Sequence, residues 1–397
     1  MKRLLVLAMV LVMFLSLAAC GGTAKTTTAA TAVEATIAAT TAAATAATTA
    51  ATTAASGPFE LALITYTGNI EDKLISETAW NSVENYAEKN NISYASYRPS
   101  EDSTAAREES IGTAVDKGAK IVVCYGYLFE EAIYNVQDKY PDVQFLLLGG
   151  EPHAAGYAAF KTSTNVHCIL YKEEEAGYLA GYAVVMDGYT KLGFLGASPG
   201  DSDIVNYEYG YQQGAEAAAK ELGLEAGDVT MKCWFSNNYL PNDDIKTKMS
   251  GWYTDGTEVV FSCGGSIYLS ATAAAEAAGG KVIGVDVDQS AQSATIITSA
   301  INELATSVDL ALTSIYANGG KWNADSAGIT ATLGAAENCV GLPTAEASWK
   351  FTTFAVDQYK AVFAKLADKT IAVDNTRLYD FNETYVTLEL ITVDYVE

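Results

Sequence analysis

The run Ile121-Val122-Val123-Cys124 passes directly into Tyr125-Gly126-Tyr127, and residues 128–139 follow with helical spacing. Four consecutive apolar residues without polar alternation mark a strand covered on both faces. The same unit recurs at Leu61-Ala62-Leu63-Ile64-Thr65, Phe145-Leu146-Leu147-Leu148, Leu192-Gly193-Phe194-Leu195, Val259-Val260-Phe261-Ser262 and Val282-Ile283-Gly284-Val285. Helices are expected near 73–89, 103–117, 128–139, 173–186, 204–222, 267–279, 300–317 and 347–366. Such alternation predicts an α/β fold with parallel sheets. Single cores stop growing near roughly 250 to 300 residues, so two smaller sheets are expected rather than one of about ten strands.

Ligands of open parallel sheets bind beyond the carboxyl ends of the strands. At those ends stand Thr65-Tyr66-Thr67-Gly68-Asn69, Tyr125-Gly126-Tyr127, Gly149-Gly150-Glu151, Trp234-Phe235-Ser236-Asn237, Cys263-Gly264-Gly265-Ser266 and Asp286-Val287-Asp288-Gln289. Glycines there permit positive φ and close backbone approach, and equally serve plain turns. Tyr127, Trp234 and Phe235 can stack on a planar ligand or simply pack in a core. Asp286 and Asp288 offer charge-assisted acceptors for ligand hydroxyls, or caps for the next helix.

The 397 residues include 24 Lys or Arg and 48 Asp or Glu, a net charge of −24. That balance excludes a nucleic-acid binder, which needs a basic face. Two histidines, His153 and His167, and six cysteines without CxxC spacing argue against a zinc site or a His-based triad. No GxSxG, P-loop or GxGxxG stands at a strand-to-helix junction, so no catalytic residue, metal or cofactor is expected. Glu173-Glu174-Glu175 reads as a solvated helix face, and Cys124, Cys168 and Cys263 as buried free thiols.

Lys2 and Arg3 precede an apolar run from Leu4 to Leu17, and small residues lead to Cys20. This is the pattern of a secretory signal, residues 1–20, too short for a comfortable membrane span. Leu17-Ala18-Ala19-Cys20 resembles the bacterial lipobox, which implies lipidation of Cys20 and attachment to the outer face of a membrane. Residues 21–57 hold 16 Ala and 13 Thr among 37 residues and read as a tether of about 35 Å. The remaining body carries 21 basic and 47 acidic residues, a net charge of −26.

Several ordered segments of this body resemble the basic membrane protein (BMP) family of ABC-transporter substrate-binding lipoproteins, whose best-understood members capture purine nucleosides. They are Asn165-Val166, Glu174 with Gly177-Tyr178-Leu179-Ala180-Gly181, Leu192-Gly193-Phe194-Leu195-Gly196, Tyr209-Gly210-Tyr211-Gln212-Gln213-Gly214 and, most specifically, Val282 to Gln289. The resemblance implies two Rossmann-like lobes of the class I periplasmic-binding-protein type, with a ligand cleft between them. Lobe 1 would hold 58–167 plus 298–342 and lobe 2 would hold 168–297 plus 343–397, the chain crossing near His167, Ile297 and Leu342. It also implies a small-molecule ligand, a membrane permease as partner, and closure of the lobes around the ligand. A tethered monomer on the extracytoplasmic face is the simplest form.

The pocket is only half preserved. Phe235 aligns with a stacking aromatic, Gly264 with a strand-end glycine and Asp286 with a sugar-hydroxyl acceptor, and Asp72 fits the first loop. In that loop, however, Tyr66 replaces an aspartate, Ile75 a stacking phenylalanine and Ser76 an asparagine that reads the base edge; Asn302 replaces a lysine that meets ribose oxygens. Tyr66, Tyr125 and Tyr127 offer replacement stacking, and Asn69 belongs to the same loop. The expectation is an importer's receptor for a nucleoside. Two alternatives stay open: a sensor that passes occupancy to a membrane receptor, and a receptor retargeted to a non-nucleoside ligand.

Overall fold

The computed structural model describes residues 60–68, 70, 74–375 and 387–396. Cys20, Asn69 and Asp72, with the signal segment and tether, lie outside them. Sheet 1 contains β1 (Leu61–Ile64), β2 (Tyr94–Tyr97), β3 (Ile121–Tyr125), β4 (Gln144–Leu148), β5 (Val166–Tyr171) and β11 (Ile329–Leu333), ordered β11-β5-β4-β3-β1-β2. Sheet 2 contains β6 (Lys191–Gly196), β7 (Thr230–Phe235), β8 (Val259–Cys263), β9 (Lys281–Asp286), β10 (Ile296–Asn302), β12 (Val340–Gly341) and β13 (Thr392–Tyr395), ordered β12-β10-β9-β8-β6-β7-β13. Every pairing is parallel except β10 with β12. All six expected strand cores are present, and β1, β4 and β8 are buried along their whole length, as their unbroken hydrophobicity requires.

The helices are α1 (Ile75–Asn90), α2 (Thr104–Asp116), α3 (Glu130–Val136), α4 (Glu173–Met186), α5 (Ser202–Leu222), α6 (Asp243–Thr254), α7 (Tyr268–Ala278), α8 (Leu304–Ala317) and α9 (Val356–Ala367). Among these, none is long and apolar enough to cross a membrane. Side-chain caps start three of them: Ser103 on Ala106 N, Asp201 on Asp203 N and Asn242 on Ile245 N. Two expected helices start later than their spacing suggested. Ala300 to Asn302 extend β10, because Ala300 and Ile301 pair with Val285 and Asp286. Helix α9 waits until Val356, because the N–H groups of Thr352, Thr353 and Phe354 are all taken by the Asp187 carboxylate.

The chain passes between the sheets three times, at positions set by which sheet each strand joins. β5 stays in sheet 1 through Tyr171, β10 stays in sheet 2 through Asn302, and β11 ends in sheet 1 at Leu333 before β12 joins sheet 2. The transitions therefore follow Tyr171, Asn302 and Leu333 rather than falling near His167, Ile297 and Leu342. Each leaves from the carboxyl end of a parallel strand, which brings the carboxyl edges of the two sheets toward one another.

Lobe 2 packs α4 against α5 with almost nothing between them. A Cβ on Gly177, Gly181, Gly210 or Gly214 would stand 1.9–2.2 Å from a backbone carbonyl oxygen of the facing helix. These are the glycines of the Gly177-to-Gly181 and Gly210-to-Gly214 segments, so that motif encodes helix contact. The adjoining Glu173, Glu174 and Glu175 are buried, which corrects the solvated-face expectation. Each has a partner: Asn206 Nδ2 donates to Glu173 at 3.2 Å, Asn375 Nδ2 to Glu174 at 3.1 Å, and Lys172 Nζ to Glu175 at 3.0 Å. The body cysteines, Cys124, Cys168, Cys233, Cys263 and Cys339, are all free and buried.

Two further carboxylates on α5 behave oppositely. Glu216 accepts the N–H groups of Glu389, Leu390 and Ile391 and pairs with Lys220, fastening the segment that leads into β13. Burial works to raise its pKa, but these donors leave it below the ordinary carboxylate value. Glu208, buried beside Cys233 and Gln212, is pushed up to about 7 by burial against the opposing effect of its hydrogen bonds.

Two outcomes follow. Gly214→Ala should lose roughly 2 kcal/mol or more in denaturant unfolding, whereas Gly251→Ala, with nothing within 4 Å of the new Cβ, should be neutral or gain up to about 1 kcal/mol. Folded Glu208 keeps its proton up to about 7 while the unfolded chain releases it near the ordinary value of about 4.3, so its charge opposes folding as pH rises through that window. Glu208→Gln should thus unfold at a higher temperature than the parent at pH 8, and the gap should close by about pH 4.

Candidate functional site

On the sheet 1 side, Tyr66 follows β1, Tyr125 ends β3, and Ile75 and Ser76 open α1. These four line one small cavity together with Leu63, Ile64, Thr65, Ala79 and Phe129. The Tyr66 ring stands 5.9 Å from that of Phe129. Its hydroxyl lies over Gly126, where φ is +90° and a Cβ would come within 1.9 Å of the oxygen. Glycine is therefore required there both by conformation and by space. Tyr127 stands apart, 56% exposed at the rim on a 3-10 turn.

On the sheet 2 side, Asp286 ends β9 with φ of +64°, a left-handed backbone for a non-glycine residue. The next strand, β10, ends in buried Asn302. Between them lies the fully buried Tyr207 of α5, whose Oη is 3.3 Å from both Asp286 Oδ1 and Asn302 Oδ1. A phenol has one proton, so it serves one acceptor at a time. Phe235 ends β7 half-buried, its ring edge-on to Phe194 at 6.0 Å and resting where a Gly196 side chain would be. Gly264, with φ of +115°, passes so close to Ala197 that a Cβ would meet its methyl at 2.5 Å.

The rest of the Asp286 segment has structural duties. Asp288 accepts from Ser290 N at 3.0 Å and from the Ser348 hydroxyl. Gln289 accepts from Val285 N at 3.3 Å and donates its N–H to Ser299 Oγ at 3.0 Å. Only the first aspartate of Asp286-Val287-Asp288-Gln289 is therefore left for the cleft.

Electrostatics tie the two sides together. The Asp286 carboxyl is pushed up to about 7 by burial first and then by Asp203 and Asp201, against the hydrogen bond from Tyr207. Burial raises the phenols of Tyr66 and Tyr125 above their ordinary value, and the charge of Asp286 raises both further. At the rim, the Tyr127 phenol is raised by burial and then by Asp201, which itself accepts from Tyr239 Oη at 3.2 Å.

Of the ten ligand-site residues expected from sequence, Tyr66, Ile75, Ser76 and Tyr125 share the sheet 1 cavity. Asp286 and Asn302 share Tyr207 as a neighbour. Phe235 and Gly264 sit at adjacent strand ends, Tyr127 marks the rim, and Asn69 is outside the described residues. Tyr207 was not foreseen, since nothing in the spacing sets it apart from Tyr209 and Tyr211. Arg107 was missed as well: it is buried, pairs with Asp102 and lies over the Phe129 ring at 5.8 Å.

Comparisons with known proteins agree with this architecture. A solute-binding protein of an ABC transporter system from Conexibacter woesei DSM 14684 superposes with a TM-score of 0.61 at 19% identity, covering 80% of this chain and 99% of that one. The ABC transporter nucleoside-binding protein BmpA of Lactococcus lactis subsp. cremoris is 23% identical over 239 residues, 57% of this chain and 64% of that protein. Basic membrane protein B of Borreliella burgdorferi is 26% identical over 233 residues, with the same shares. The match thus spans just under two thirds of each relative's length. Residues 59–376 match the family described as ABC transporter substrate-binding protein PnrA-like, and the chain belongs to this Bmp family.

Proposed function

We propose that this chain is the extracytoplasmic, lipid-anchored substrate-binding protein of an ABC importer, and that it captures a nucleoside-like metabolite by closing its two lobes. The observation that carries the reading is the cleft itself. Tyr66 and Tyr125 at the carboxyl edge of one sheet lie within electrostatic reach of a partly buried acceptor, Asp286, at the carboxyl edge of the other. Family membership supports delivery to a membrane permease, and the nucleoside-binding relative supports the ligand class. The Leu17-Ala18-Ala19-Cys20 pattern supports anchoring through Cys20. The ten residues expected to meet the ligand remain Tyr66, Asn69, Ile75, Ser76, Tyr125, Tyr127, Phe235, Gly264, Asp286 and Asn302.

A second reading, a receptor turned to a different ring-bearing ligand, is favoured by Tyr66, Ile75, Ser76 and Asn302. All four depart from the nucleoside pattern, and the first three line the same cavity. Thermal unfolding of the body against nucleosides, nucleobases, riboflavin, sugars and amino acids separates the two. A ligand at 100 times its Kd adds about 2.7 kcal/mol, a rise of several degrees at most for a protein of this size. The nucleoside reading expects purine nucleosides to raise the midpoint, and Asp286→Ala or Phe235→Ala to abolish the rise. Stabilisation by another class alone would establish the second reading.

A further inference from the structure

The cleft counts as a ligand site because of its place between the sheets and its family, and the side chains within it then decide what charge it accepts. Asp286 forms no ion pair among the described residues, and its one hydrogen-bond partner there is Tyr207 Oη at 3.3 Å. The second acceptor of that phenol, Asn302, is a neutral amide. Around Asp286, the Asp203 and Asp201 carboxylates add to the negative potential. The basic group whose charge is felt at Tyr66 is Arg107, and it is already paired with Asp102. The charge of Asp286 reaches the phenols of Tyr66 and Tyr125, which line the sheet 1 cavity. A partly buried carboxylate near aromatic side chains, without a cation of its own among the described residues, is the arrangement that binds positively charged nitrogen by ion pairing and cation–π attraction together.

We infer that the cleft selects a ligand carrying a positively charged nitrogen, Asp286 supplying the counter-charge and Tyr66 and Tyr125 the aromatic wall. The inference rests on the cleft being the ligand site and refines which nucleoside-like molecule it takes. It disfavours anionic ligands: a phosphate or carboxylate placed beside Asp286 would face a carboxylate without a compensating base among the described residues. A cation entering the cleft also relieves the electrostatic penalty that burial and the neighbouring acids impose on Asp286.

The test is calorimetry on the full chain at pH 7 with two isosteric pairs. The first is 1-methyladenosine, a cation at that pH, against its neutral isomer N6-methyladenosine. The second is choline against 3,3-dimethyl-1-butanol, which shares its shape and lacks its charge. The expected result is that the cation binds about ten-fold tighter than its neutral partner, and that Asp286→Asn removes the preference. The wild-type comparison within each pair stands even where a variant folds poorly. A preference for choline with no binding of either nucleoside would uphold the charge inference and overturn the nucleoside reading. Neutral members binding as tightly as the cations would overturn the charge inference and leave the nucleoside reading standing. Failure of both cations to bind would also overturn it.

Discussion

Everything in the cleft depends on where the chain leaves each sheet. The three passages between sheets start at the carboxyl ends of β5, β10 and β11, so the two carboxyl edges are held opposite each other by connectivity alone. The passages are also bonded together. Lys172 N donates to Leu333 O at 2.9 Å, Ala335 N to Glu175 Oε2 at 2.6 Å, and Glu303 N to Cys339 O at 2.8 Å. Tyr171, at the end of β5, adds a 2.8 Å hydroxyl contact to Ser307 of α8. The proposed closure of the lobes would have to turn at these element ends. The buried Glu175 is explained by this role, since it collects a backbone N–H and the Lys172 ammonium at two of the passages.

Around that frame, carboxylates are used in two ways. Asp187 and Glu216 each gather three backbone N–H groups and fasten segments that have no regular structure of their own. For Glu216 the donors outweigh the effect of burial. Among the described residues Asp286 has a single phenol for a partner, and it has a left-handed backbone costing about 1 kcal/mol and acidic neighbours. A group held at a cost in the unliganded fold stores binding energy for whatever satisfies it. That contrast is the ground for proposing Asp286, and not Asp187 or Glu216, as a ligand acceptor.

The fold was legible because fully buried parallel strands leave unbroken apolar runs, and all six quoted runs are strand cores. β2, with its Tyr94-Ala95-Ser96-Tyr97 sequence, and β11, half-exposed along the sheet edge, lack that signature. The passage points were misplaced because a strand's membership in one sheet or the other is decided by its pairing partners, which local sequence does not report. Glu173 to Glu175 misled because acidity in a chain of this charge suggests solvent, while the α4–α5 contact buries them. Tyr66, Ile75, Ser76 and Tyr125, proposed for the site as strand-end or loop positions, share one cavity. Tyr207 is as buried as Tyr209 and Tyr211, and it is set apart by its hydroxyl, which meets Asp286 and Asn302, so only the three-dimensional structure singles it out.

The central claim, that Asp286 is the acceptor at the heart of the ligand site, is tested most directly by proton-linked calorimetry. The nucleoside that stabilises the protein best would be titrated near pH 7 in buffers of different ionisation enthalpy. Because the free carboxyl titrates at about 7, a ligand that donates to Asp286 must favour its ionised form and expel a proton on binding. Release of a fraction of a proton, absent in Asp286→Asn, is the predicted result. Equally tight binding with no proton released, unchanged in that variant, would contradict the account.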